Sequence, residues 1–163
     1  VEPLDFVREY VEPAITLWAE RPNSPVLAVC AIAQIDILAE VVAIAQAGGT
    51  LSRGETGPFR TELGHREPAI ARIRDAHDSH KHGRLRRSSG SGSSITQGQR
   101  PWRSTGSAWF LGRSRVGSVL GRKSTAILLD DGTPIDIAVL IREAMAAWDR
   151  ELRRLRYRPS EEG

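Results

Sequence analysis

Between Ser24 and Gly49 the chain is apolar on nearly every side of a helix: Val26–Ala47 is interrupted only by Gln34, Asp36, Glu40 and Gln46. A helix that is apolar all round has two homes, the middle of a protein or a lipid bilayer. Its ends are well marked. Ser24 offers a hydroxyl N-cap, Pro25 suits the first turn where its missing N–H does no harm, and Gly48-Gly49 stops the helix. A carboxylate at the centre of a bilayer costs about 2.5–3.5 kcal/mol on insertion scales, so Asp36 and Glu40 argue against a membrane span. The small residues Ala28, Ala31, Ala33, Ala39, Ala43 and Ala45 let neighbouring helices approach closely. The expectation is a buried central helix of a bundle, with no membrane.

The partners of that helix can be read from periodicity. A first helix is expected over about 4–19, with Phe6, Tyr10 and Leu17 near one face alongside Val7, Ala14 and Trp18, and with Pro13 kinking it or splitting it into two pieces. Residues 48–58, rich in glycine, read as a loop. A third helix is expected over about 67–82, packed through Ala69, Ile70, Ile73, Ala76 and His77. The last is expected over about 137–157, capped by Asp136 and striped by Ile137, Leu140, Ile141, Ala144, Met145, Trp148, Leu152 and Leu155. Before it, over about 94–131, the pattern changes to short strands: Ser107–Leu111, Ser124–Leu129 and, more weakly, Ile95–Gln97, followed by the turn at Asp130–Pro134. The fold expected is mainly α: a four-helix bundle with a small antiparallel β-ribbon or sheet inserted before the last helix. A chain of 163 residues has room for one such core, so 1–163 reads as a single domain.

Charge is unevenly spread. Residues 83–129 contain nine bases (Arg84, Arg86, Arg87, Arg100, Arg103, Arg113, Arg115, Arg122 and Lys123) and no acid, whereas the flanking segments are net acidic. Such a stretch calls for an anionic partner, nucleic acid first, or for the acidic remainder of the protein itself. Trp102, between Arg100 and Arg103, has the aromatic-and-arginine pattern that suits single-stranded nucleic acid. Cys30 is the only cysteine, which excludes an internal disulfide. Lying in an apolar run, it is expected to be reduced and buried in a cytoplasmic protein, and Val1–Asp5 lacks the basic start and apolar core of a secretory leader.

Chemistry concentrates in one place, Arg72–His82, where three of the four histidines stand within six residues, interleaved with aspartates. Three readings are open. His77 with His80, or Asp78 with His82, could chelate an ion with help from Asp36 and Glu40. No standard zinc or di-iron spacing is matched, so no metal and no cofactor is assigned. A structural reading has Asp75 and Asp78 hydrogen-bonded to histidine N–H groups in a polar helix end. The third reading is acid–base chemistry on RNA. Arg74-Asp75 followed by His80 after five intervening residues, and Arg72 followed by His77 after four, resemble the signature of the HEPN superfamily. That superfamily comprises four-helix bundles that often dimerise, and many members cut RNA without metal. The resemblance covers the bundle and this motif, not the β insertion. It implies a homodimer acting on RNA, with His80 moving the proton, Arg74 steadying the phosphorane charge, His77 with Arg72 as the second choice, and Asp75 as the polar residue after the arginine. Asp36 and Glu40 are expected to support the site. Arg84, Arg86, Arg87, Arg100, Trp102 and Arg103 are expected to hold the nucleic acid. The alternative is a non-enzymatic, dimeric interaction protein that uses its basic β insertion to bind a partner.

Overall fold

The computed structural model describes residues 1–82, 102–104, 124–130 and 132–157. These form α1 (Pro3–Phe6), a π-helical turn (Val7–Val11), α2 (Glu12–Glu20), α3 (Pro25–Gln46), a 3₁₀ turn (Arg53–Glu55), α4 (Gly57–Arg66), α5 (Pro68–His82), strands β1 (Trp102–Ser104), β2 (Ser124–Leu128) and β3 (Pro134–Asp136), and α6 (Ile137–Arg154). The protein is mainly helical, with a small antiparallel sheet before the last helix, as the sequence predicts.

Helix α3 lies at the centre. Ile32, Ile35, Leu38 and Val42 are buried along it. They meet Val11 and Trp18 of the first helical stretch, Ile73 and Ala76 of α5, and Leu140, Ala144 and Trp148 of α6 in one core. It is long and apolar enough to span a membrane, but half of its most apolar stretch is packed inside this fold. Side-chain pairs set the directions of its neighbours. Arg72 reaches Glu143 and Glu67 takes both ends of the Arg150 fork, so α5 runs antiparallel to α6. Gln46 Nε2 donates to Tyr157 Oη at 3.0 Å, while Thr125 of β2 donates through N–H and hydroxyl to the Pro22 carbonyl just before α3. Helices α3 and α6 therefore run side by side in the same direction, with the sheet at their N-terminal end.

The caps follow the sequence. Ser24 Oγ accepts from the Leu27 N–H at 3.4 Å, and Asp136 Oδ1 from the Ala138 N–H at 2.7 Å. At the end of α3, the Gly49 N–H reaches back to the Ile44 carbonyl and the Gly48 N–H to Ala45, with both glycines at positive φ (78° and 62°). The end of α6 closes the same way, Tyr157 to Leu152 and Arg156 to Arg153, but with Arg156 in the left-handed position at φ 65°.

Four details depart from the sequence reading. The first helix is not broken at Pro13. Instead the Glu12 N–H bonds back five residues to the Val7 carbonyl, a π turn placed just where the proline ring would crowd an α-helix. The extra residue turns the buried face, so Phe6, Val11 and Trp18 point inward while Tyr10 and Leu17 are each 48% exposed. Between the expected loop at 48–58 and the expected third helix stands α4. Pro58 sits in its first turn, Leu63 is buried, and Glu67 breaks the chain because the residue before Pro68 is driven out of helical geometry (φ −125°, ψ 82°). Cys30 is exposed rather than buried, since it faces away from the core together with Val26. The sheet runs β1-β2-β3, with β2 covering Ser124–Leu128 of the expected strand and with Trp102–Ser104 and Pro134–Asp136 as strands the pattern did not reveal. The candidate strands Ile95–Gln97 and Ser107–Leu111 lie outside the described residues.

The two matched helix ends give a direct test. A side chain in the left-handed region costs about 1 kcal/mol, so Gly48→Ala should destabilise the protein by about that much and Arg156→Gly should stabilise it by a similar amount. Urea denaturation of the two variants beside the unmodified protein measures both shifts.

Candidate functional site

Asp36 and Glu40 stand one turn apart on α3, on the side where α4 and α5 pack. Asp36 is only 5% exposed. A lone carboxylate at such depth would be costly, and the fold supplies it with two partners. From α4, Arg60 places Nη2 2.5 Å from Asp36 Oδ1 and Nη1 3.1 Å from Glu40 Oε1. From α5, His77 places Nδ1 2.8 Å from Asp36 Oδ2. Three helices thus meet at one carboxylate. Burial alone would push the Asp36 carboxyl up. The hydrogen bond from His77 and the charge of Arg60 outweigh burial and hold it below its ordinary value.

Because an ionised carboxylate only accepts, His77 Nδ1 carries the hydrogen in this pair, and Nε2 is the ring atom left for other work. The His77 side chain is one-fifth exposed. The next residue, Asp78, brings its carboxylate to the same place: donor atoms of Asp36, His77 and Asp78 all lie within 4.8 Å of one another. Asp78 is loosely engaged by Arg74, one turn earlier on α5, at 3.7 Å. Arg74, His77 and Asp78 therefore share one face of α5, at spacings of three and four.

Of the two acids expected to support the Arg72–His82 segment, Asp36 contacts it through His77, while Glu40 accepts from Arg60. Arg74 is close by through Asp78. His80, the first choice for proton transfer, is exposed and has no hydrogen bond or ion pair among the described residues. Arg72 is committed to Glu143 of α6 at 3.1 Å. Asp75 is 1% exposed and engaged within the protein, on the buried side of α5. Arg84, Arg86, Arg87 and Arg100 lie outside the described residues, while Trp102 and Arg103 stand in β1 opposite Ala126 and Thr125 of β2.

Arg60 escaped the sequence reading, although two signals point to it. Asp36 and Glu40, a turn apart on an apolar helix, require a cation able to grip both. Pro58, Phe59 and Leu63 have the spacing of a short helix that would present Arg60.

A second buried acid shows what a purely structural arrangement looks like in the same molecule. Glu151 of α6 is 2% exposed and receives Arg154 through Nε and Nη2 at 2.9 and 2.7 Å, and Arg66 of α4 at 2.8 Å. The Arg154 fork, with help from Arg66 and against the effect of burial, holds its carboxyl below the ordinary range. Both Glu151 oxygens are occupied by arginine, with no titratable ring among the partners.

Removing the Asp36 carboxylate leaves Arg60 and His77 facing an apolar helix, and breaking a buried pair from one side typically costs about 3–5 kcal/mol. Asp36→Ala should lose that much at pH 7, whereas Asp5→Ala, which breaks an exposed pair with Arg8, should stay within about 0.5 kcal/mol. The pH dependence has a definite sign. Since the folded-state value of Asp36 lies below its ordinary 3.8, its contribution is complete above that value and is lost as pH falls through the lower, folded one. Urea melts from pH 7 down to pH 3 should show the gap between the unmodified protein and Asp36→Ala narrowing only at the acid end.

Compared with protein-family models, with curated proteins and with solved structures, the chain gives no match in any of the three.

Proposed function

We propose that this chain is a HEPN-like helical protein that binds RNA and cleaves it without metal, using His77 as the proton-transfer group. One observation carries the reading. The His77 ring is fixed through Nδ1 by a buried aspartate that is itself gripped by Arg60, which leaves Nε2 of a partly exposed imidazole oriented for acid–base work. In this scheme Nε2 takes the proton of a ribose 2′-hydroxyl. The freed oxygen attacks the adjacent phosphorus, the bond to the 5′-oxygen breaks, and that oxygen regains a proton from the imidazolium. The products are a 2′,3′-cyclic phosphate and a 5′-hydroxyl.

Arg74 is the cation for the phosphorane. Its 3.7 Å approach to Asp78 is too long for a good hydrogen bond, so an entering phosphate can take the arginine from the aspartate. This assignment pairs Arg74 with His77 rather than with His80, because the former two share a face of α5. The nine bases of residues 83–129 begin immediately after α5, which puts the RNA-holding segment next in the chain to the reacting groups. A homodimer, as the HEPN resemblance implies, belongs to the same proposal.

A second reading has its own support. Asp36, Glu40, Arg60 and His77 also form a complete clamp between α3, α4 and α5, which a non-enzymatic interaction protein would need equally.

The assay incubates the purified full chain with mixed RNA in EDTA. The unmodified protein should cut RNA to cyclic-phosphate ends and leave DNA intact, since DNA lacks the attacking hydroxyl. His77→Asn, whose amide can still donate to Asp36, should lose about 10²–10⁴-fold in rate without unfolding. Arg74→Ala should be strongly impaired and His80→Ala little changed. RNA left whole by the unmodified protein, or cut equally by all variants, would favour the interaction protein.

Binding is tested separately. Replacing Arg86, Arg87, Arg100 and Arg103 together by alanine should weaken retention on RNA or heparin and flatten its dependence on salt, because fewer counterions are released. Unchanged retention and salt dependence would remove the basic segment from the binding surface.

A further inference from the structure

We infer that Asp36, His77 and Asp78 form a binding site for one divalent transition-metal ion of the zinc class, a site whose occupancy would take His77 out of proton transfer. The donor set is one imidazole nitrogen and two carboxylates, from two packed helices, with ligand atoms within 4.8 Å of one another. At metal–ligand bonds of about 2.0–2.1 Å, neighbouring ligand atoms in octahedral or tetrahedral sites stand roughly 2.8–3.4 Å apart. His77 Nδ1 and Asp36 Oδ2, at 2.8 Å, are already near that spacing. Asp78 is the ligand that must close in. It can, because its side chain is 30% exposed and engaged by Arg74 at only 3.7 Å.

The surroundings favour the same assignment. Arg60 donates to Asp36 Oδ1 and so turns Oδ2 toward His77, as the hydrogen-bond donors that orient ligating carboxylates do in metal sites. An imidazole in the set favours zinc, copper, iron or nickel over calcium and magnesium, which prefer oxygen alone. Three protein ligands leave coordination positions for water. The Glu151 cluster, by contrast, holds both oxygens of its carboxylate on two arginines.

An ion at Nδ1 displaces the hydrogen now shared with Asp36 and leaves the neutral ring protonated at Nε2. A ring in that state cannot accept the 2′-hydroxyl proton. Metal capture and acid–base work by His77 therefore exclude each other, and the ion acts as an off-switch for the proposed reaction.

The experiment uses the dialysed full chain and Co²⁺ alone, followed by visible absorption, with Zn²⁺ competition and calorimetry to count ions. One saturable site per chain is expected, showing ligand-field bands that Zn²⁺ abolishes. Asp78→Asn lies outside the buried clamp and should fold normally, as checked by its thermal melt. It should weaken binding by at least about tenfold, and His80→Ala should leave binding unchanged. If Co²⁺ fails to saturate at millimolar concentration, if Asp78→Asn binds as tightly as the unmodified protein, or if His80→Ala abolishes binding, the site is refuted. These readouts do not involve RNA, so they stand or fall apart from the cleavage reading. Where cleavage in EDTA is found, Zn²⁺ added after the EDTA has been dialysed away should suppress it.

Discussion

The carboxylate of Asp36 sets the terms for the surrounding structure. It sits on a helix that is otherwise almost wholly apolar, at a depth where an unpaired charge would take up a large share of the typical stability margin of a small domain. Its two oxygens take one partner each, from two different helices, so the ion pairs fix where α4 and α5 lie against α3. Hydrophobic contact could be satisfied by several neighbouring registers of apolar side chains. A bidentate carboxylate has far fewer solutions, and here it selects one.

Helix α4 shows how much of the packing depends on such pairs. It is ten residues long, and Leu63 is its only large apolar side chain in the fully buried core. What holds it is an arginine near each end: Arg60 reaches the acids of α3, and Arg66 reaches Glu151 of α6 while also pairing with Glu62. Glu151 and Asp36 are thus two buried acids joined to one short helix. One of them is closed off by guanidinium groups; the other carries an imidazole, held through one nitrogen, and an aspartate beside it.

Much of this could be read from the residues, for physical reasons that differ by element. Helices α3, α5 and α6 were legible because capping residues and apolar stripes agree: Ser24-Pro25, Pro68 and Asp136 begin them, and no competing period fits. The contact between Asp36 and the histidine segment was legible because a buried carboxylate needs a cation or an N–H donor. Helix α4 was hidden by its glycines and its thin apolar face, and with it Arg60. The π turn before Pro13 was hidden because a proline in a helical pattern predicts a break, whereas one extra residue in the turn relieves the same clash. Exposure of Cys30 could not be read from an apolar run, since hydropathy does not say which side of a helix its neighbours cover.

The directions of the helices carry one further consequence. Helices α5 and α6 are antiparallel neighbours, so the C-terminal end of α5 and the N-terminal end of α6 lie at the same end of the bundle. A turn of a few residues would suffice to join them, yet the chain spends residues 83–136 on the connection. Within that span β2 is built into the fold, with Ile127 in the core and Thr125 holding the Pro22 carbonyl just before α3. The connection therefore closes that end of the bundle as well as joining two helices, and a change at Thr125 would be felt where α3 begins.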